Sequence, residues 1–167
     1  MKILAFDLGR STGWAILDGD ELRTGSHTAE GALADELFID WHTWAKLLVN
    51  DTGPEAIAYE DIQFNRGKSY IPGMTALLYV LAGECGLTCF GVNSQELKAF
   101  ARLSSAWDPE IKWAGSKLDM RLALTSRWPS AGSDFFSEDE VDAAWVALWA
   151  EDTLVEEPRE LAGGEDE

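Results

Sequence analysis

Four carboxylates stand out by their surroundings. Asp7 closes the apolar run Ile3–Phe6, and Glu60 closes a second, Ile57–Tyr59. Asp139 and Asp142 lie three residues apart in SEDEVDAAWVALWA, a spacing that sets both on one face of a helix. A charge at the end of a buried strand is costly unless it is paired or bound to a cation. Four such groups brought together would repel one another at neutral pH unless cations lay between them. Oxygen donors with no His or Cys beside them suit Mg2+ or Mn2+ better than zinc. Two such ions about 3.5–4 Å apart can activate a water and stabilise the leaving oxygen of a phosphodiester. Each acid also has an ordinary role when read singly. Asp7 can start the turn that follows it. Ser137 with Glu140 makes a capping box in which Asp139 is one more first-turn acid.

Whether the acids meet depends on the elements that carry them. Lys2–Leu8, Thr12–Leu17 and Glu21–His27 read as three strands of an antiparallel meander, with Gly9 and Gly13 in the first reversal and DGD in the second. Residues 32–49 place Leu33, Leu37, Trp41, Trp44 and Leu48 at helical spacing. Pro54 introduces a strand ending on Glu60. An apolar helix over 70–85 follows, with Gly86 as its C′ residue. LTCFGV is a fifth strand, and helices are expected over Ser94–Arg102, Lys117–Arg127 and Ser137–Ala150. A meander followed by αβαβα is an α/β fold, a mixed five-stranded sheet flanked by helices. If the strands ending on Asp7 and Glu60 are parallel neighbours, both acids emerge at one C-terminal sheet edge, where open α/β sheets place ligands. Residues 1–150 are expected to form one domain. Residues 151–167 form an acidic tail, with no stable helix expected beyond about Thr153.

Charge bears on the partner. The chain of 167 residues has a formal net charge of −17, which argues against nucleic acid until its distribution is seen. Residues 1–61 hold 4 basic and 12 acidic residues, and residues 128–167 hold 1 and 13. The middle stretch, 62–127, holds 8 basic and 5 acidic, for a local net of +3. Arg66, Lys68, Lys98, Arg102, Lys112, Lys117, Arg121 and Arg127 make up this basic island. No apolar run reaches transmembrane length, and Asp7 and Arg10 interrupt anything resembling a signal peptide, so no membrane partner and a cytoplasmic location are expected. Cys85 and Cys89 are too few for a disulfide scaffold and are expected to be buried thiols. His42, between Trp41 and Trp44, is expected to be structural.

Three segments taken in order, FDLGRSTGWAI, AIAYEDIQF and DEVDAAWVAL, resemble the RuvC Holliday-junction resolvases, within the RNase H-like fold. The resemblance runs from Met1 to about Ala150 and fits a distant, phage-type member. It implies a crossover junction endodeoxyribonuclease of DNA recombination and repair, working as a homodimer on four-way or branched DNA. Asp7, Glu60, Asp139 and Asp142 fall on the family's catalytic metal carboxylates, which would hold two Mg2+ ions, with Mn2+ as a substitute and Asp7 as the bridging ligand. Lys98 and Lys117 fall near its DNA-contacting lysines, and Arg66, Lys68, Arg102 and Arg121 extend that basic surface. The family places a junction-opening aromatic three residues after the strand-end Glu. Gln63 stands there in this chain, and Phe64 follows it. The apolar helix over 70–84 is either the dimer interface or plain core. Two other readings of the same residues stay open. DLGRSTG also fits the first loop of an actin-like or sugar-kinase-like ATP-binding module, and the domain can equally be a non-catalytic RNase H-like binding module.

Overall fold

The computed structural model describes residues 1–62, 70–105, 112–128 and 137–156. Phe64, Arg66 and Lys68, together with Gln63, lie outside them, as do residues 157–167 of the tail.

The five expected strands form, β1 (Lys2–Asp7), β2 (Ser11–Asp18), β3 (Glu21–Thr28), β4 (Ala56–Asp61) and β5 (Thr88–Asn93). They make one mixed sheet of order β3-β2-β1-β4-β5. The first three strands are antiparallel, whereas β4 runs parallel to β1 and β5 parallel to β4. This is the RNase H-like architecture. Phe6 pairs with Tyr59, so Asp7 and Glu60 leave the sheet side by side at one edge.

The period of two along each strand divides the core into two layers. Ile3, Ala5, Ala15, Leu17, Ala58 and Val92 face the layer under α3 (Ser94–Ser104), α4 (Lys117–Arg127) and α5 (Glu138–Glu156). Leu4, Phe6, Leu8, Ile16, Ile57 and Tyr59 face α1 (Ala34–Thr52) and α2 (Ile71–Cys85) on the other side. The helix α5 is buried nearly all round, from Val141 to Leu148, because it lies on β1, β2, β3 and β4 with α3 and α4 against it. Its Ala143, Ala144, Ala147 and Ala150 allow that close approach to the sheet.

Several boundaries differ from expectation. The helix α1 starts at Ala34, because Glu36 turns its carboxylate back to accept the N–H groups of Ala32 and Leu33. Leu33 consequently stays outside the core at 63% exposed, and Ala45 and Val49 carry burial that the periodicity assigned to Trp44 and Leu48. The helix α5 continues through residues 151–156, six residues into what reads as tail, because Leu154 still packs against the core. Cys85 and Cys89 are free and only partly buried, at the rim of the α1/α2 layer, rather than fully buried. The apolar helix α2 sends one face into the core: Ile71, Met74, Leu78, Leu81 and Ala82 are buried, whereas Tyr79 and Val80 are about half exposed. No helix among the described residues is long and apolar enough to cross a membrane.

Candidate metal centre

The edge formed by β1 and β4 is completed by the start of α5. One carboxylate oxygen from each of Asp7, Glu60 and Asp142 lies within 4.8 Å of the others. Asp139 stands one turn before Asp142 and lines the same pocket of about 340 Å3 without joining that closest trio. Capping does not occupy Asp139. The cap is the reciprocal pair Ser137 and Glu140, in which Ser137 Oγ accepts from the Glu140 N–H and Glu140 Oε1 accepts from the Ser137 N–H. Glu140 also accepts from Thr24 Oγ1 at 2.7 Å, which ties the start of α5 to β3.

Two hydroxyls fix two of the carboxylates. Ser11 Oγ donates to Asp139 Oδ2 at 2.8 Å, and Ser94 Oγ donates to Glu60 Oε1. Neither serine is distinguished by composition or periodicity. Their only signal is position, Ser11 opening β2 and Ser94 opening α3 directly after β5. The loop between β1 and β2 is held from beneath. Buried Thr12 donates to the Gly9 carbonyl at 2.6 Å and accepts from Trp41 Nε1 at 3.0 Å. Gly13 pairs with Asp7 across β1 and β2, and a Cβ at this position would lie 2.0 Å from the Asp139 carbonyl oxygen. The glycine therefore lets the first turn of α5 sit directly on β2, bringing Asp139 and Asp142 to the acids of the sheet edge.

The electrostatics match this crowding. Burial, then the charges of Asp142 and Glu60, hold the Asp7 carboxyl well above the usual carboxylate range, with Lys117 opposing them. Burial also raises Asp142, against the pull of its ion pair with Lys117. For Lys117 burial alone would lower the ammonium, but its bond to Asp142 and the charges of Asp142, Asp7 and Glu60 outweigh it and raise the pKa. Lys117, expected only as a DNA contact, thus supplies a cation within the acidic cluster. Among the described residues the pocket's oxygen donor set is Asp7, Glu60, Asp139, Asp142 and Ser94, with no His or Cys, and the ammonium groups of Lys98 and Lys117 stand beside it. That set fits a hard divalent ion such as Mg2+ or Mn2+.

Of the expected DNA-binding residues, Lys98 and Lys117 line this pocket. Arg102 lies with Lys98 at an adjoining one, and Arg121 lines neither. His42 is not part of the site, and its Nε2 is buried with no hydrogen-bond partner among the described residues.

No protein-family model matches the chain, and no curated protein matches it in sequence. Solved structures do. Thermus thermophilus RuvC in complex with a Holliday junction substrate superposes with a TM-score of 0.69 at 17% identity, over 89% of this chain and 91% of that one. The chain has the RuvC fold. A second Thermus thermophilus RuvC structure gives 0.61 at 18% identity over 89% and 92%. The yeast mitochondrial Holliday junction resolvase Ydc2 gives 0.59 at 12% identity over 87% and 75%. At these identities the likeness establishes fold, and the chemistry rests on the side chains themselves.

The raised Asp7 carboxyl has a consequence for stability. A group whose folded pKa lies above its unfolded value stabilises the fold below the unfolded value, and that contribution is lost as pH rises through the folded one. In EDTA the protein is therefore expected to melt at a higher temperature at mildly acidic pH than at pH 8, with added Mn2+ reducing the difference. Thermal unfolding across that range, with and without the ion, checks it. A midpoint independent of pH in EDTA would contradict the cost assigned to the cluster.

Proposed function

We propose that the protein is a metal-dependent endonuclease that cuts four-way or otherwise branched DNA. The observation that carries this reading is the convergence of Asp7, Glu60 and Asp142, with Asp139 in the same pocket, at the sheet edge of a RuvC fold. These four carboxylates would hold the ions. Bound Mg2+ or Mn2+ would supply Lewis acidity, favouring ionisation of an attacking water and offsetting charge on the leaving oxygen. The chain's own contribution is positional. Ser11 and Ser94 fix the rotamers of Asp139 and Glu60, and Lys117 neutralises part of the cluster. With Lys98, it also offers positive charge to the phosphate backbone beside an acidic centre.

The decisive experiment is incubation of a synthetic four-way junction with Mg2+, Mn2+ or EDTA. Paired nicks bearing 5′-phosphate and 3′-hydroxyl ends are expected only with metal. Undiminished cleavage in EDTA, or no cleavage with either ion, would overturn the reading. Lys98→Ala is expected to weaken junction binding and to flatten the plot of log K against log salt by roughly 0.9 for each phosphate it ceases to neutralise. An unchanged slope would place the DNA elsewhere. We further propose that two copies act together on opposing strands, which the half-exposed Tyr79 and Val80 on α2 would permit. Sedimentation showing only monomer at working concentrations would remove that element.

A further inference from the structure

A second pocket, of about 410 Å3, adjoins the carboxylates and shares Lys98 and Gly115 with their pocket. Its composition is different. One wall is a single face of α3, where Gln95, Lys98 and Arg102 recur at spacings of three and four residues. Trp113, partly buried against the core, also lines it, and Leu103, 83% exposed, extends the apolar rim. None of the described lining residues is acidic, in a chain whose formal net charge is −17. Among the described residues neither Lys98 nor Arg102 has an ion-pair partner. Gly115 lines both pockets. Its φ is +67°, and a Cβ there would lie 3.2 Å from Lys98 Cδ and 3.5 Å from Trp113 Nε1.

We infer that this pocket receives an unpaired nucleobase from the strand whose phosphate lies at the carboxylates. The inference rests on the nuclease reading above and adds a specificity site to it. An indole offers a stacking face that accepts any base, and such stacking is typically worth about 1–3 kcal/mol per base by alanine substitution. Lys98 and Arg102 supply positive charge for the phosphates on either side of that base, and the Gln95 amide can both donate to and accept from its edge. The volume falls within the roughly 300–1,000 Å3 range of small-molecule sites. Because Lys98 and Gly115 line both pockets, the base and the phosphate at the carboxylates would come from nearby nucleotides of one strand.

The test uses the full-length protein and a four-way junction carrying one abasic site at a time, moved through the nucleotides flanking each cleaved phosphate. Single-turnover cleavage in Mg2+ is the readout. For the wild type, one position is expected to slow cleavage at least about fivefold. In Trp113→Ala the intact junction should be slowed by a similar factor, with no further loss from the abasic site at that position. Trp113→Phe should restore the dependence. Leu103→Ala, a change on an exposed side chain, should weaken it in part and guards against misfolding of the tryptophan variants. A wild-type response equal at every position overturns the inference, as does an abasic penalty that persists undiminished in both Trp113→Ala and Leu103→Ala. Failure of the wild type to cut the intact junction overturns the nuclease reading and this site with it.

Discussion

Asp7→Asn is expected to lower junction cleavage by more than about 100-fold, beyond the roughly 10–100-fold typical of residues that only orient a metal ligand. The same change is expected to stabilise the metal-free protein. Asp7 carries the largest electrostatic burden in the cluster, since burial and the charges of Asp142 and Glu60 all disfavour its ionised form. Asparagine keeps the shape and removes the charge, so unfolding in EDTA should become harder by on the order of 1–3 kcal/mol. At roughly 2–4 °C per kcal/mol for a chain of this size, the midpoint should rise by several degrees. Mg2+ or Mn2+, which should raise the wild-type midpoint by binding the native state, should raise that of the variant far less. Opposite movements of activity and stability distinguish a carboxylate kept for a cation from one that only starts a turn. A variant that is less stable in EDTA and still cuts would restore the turn-forming role.

Gly13→Ala is expected to disable the enzyme although Gly13 is neither charged nor polar. A methyl group there would stand 2.0 Å from the Asp139 carbonyl oxygen and 2.2 Å from its carbonyl carbon. The obstacle is backbone, so no rotamer change relieves it, and the first turn of α5 must lift from β2. That turn carries Asp139, with Asp142 following it, while Gly13 itself pairs with Asp7. A displacement near 1 Å in a catalytic constellation can cost about 100-fold in rate, and a loss of at least that size is expected. The Ser11 bond to Asp139 should be broken as well. Metal titration followed by thermal shift should show weakened Mn2+ binding with the overall circular dichroism retained. Wild-type cleavage by Gly13→Ala would mean that α5 can seat itself elsewhere on the sheet without cost.

Much of the architecture is legible along the chain because its causes are local. The continuous apolar runs Ile3–Phe6 and Ile57–Tyr59 mark strands covered on both faces, and the two faces of the sheet do take successive residues into separate layers. The αL glycine Gly86 closes α2 by backbone geometry alone. Asp7, Glu60, Asp139 and Asp142 can be singled out because each ends or opens an apolar element. The sequence alone therefore determined the order of elements, the two-layer core and which acids could meet.

Tertiary structure decided what those acids touch. Lys117 reads as one member of a basic island, yet it is folded onto Asp142 by the packing of α4 against α5. Asp139 reads as a capping acid, yet Ser137 and Glu140 perform the capping and leave its carboxylate to Ser11, 128 residues earlier in the chain. Gly13 reads as a turn residue, and its role in seating α5 is set by a close approach that no local pattern encodes. The pocket beside Trp113 likewise exists only where the face of α3 meets a segment beyond its end. Side-chain periodicity reports which face of an element is buried. Which distant group lies against that face depends on how the layers stack, and that is settled only when the whole core closes.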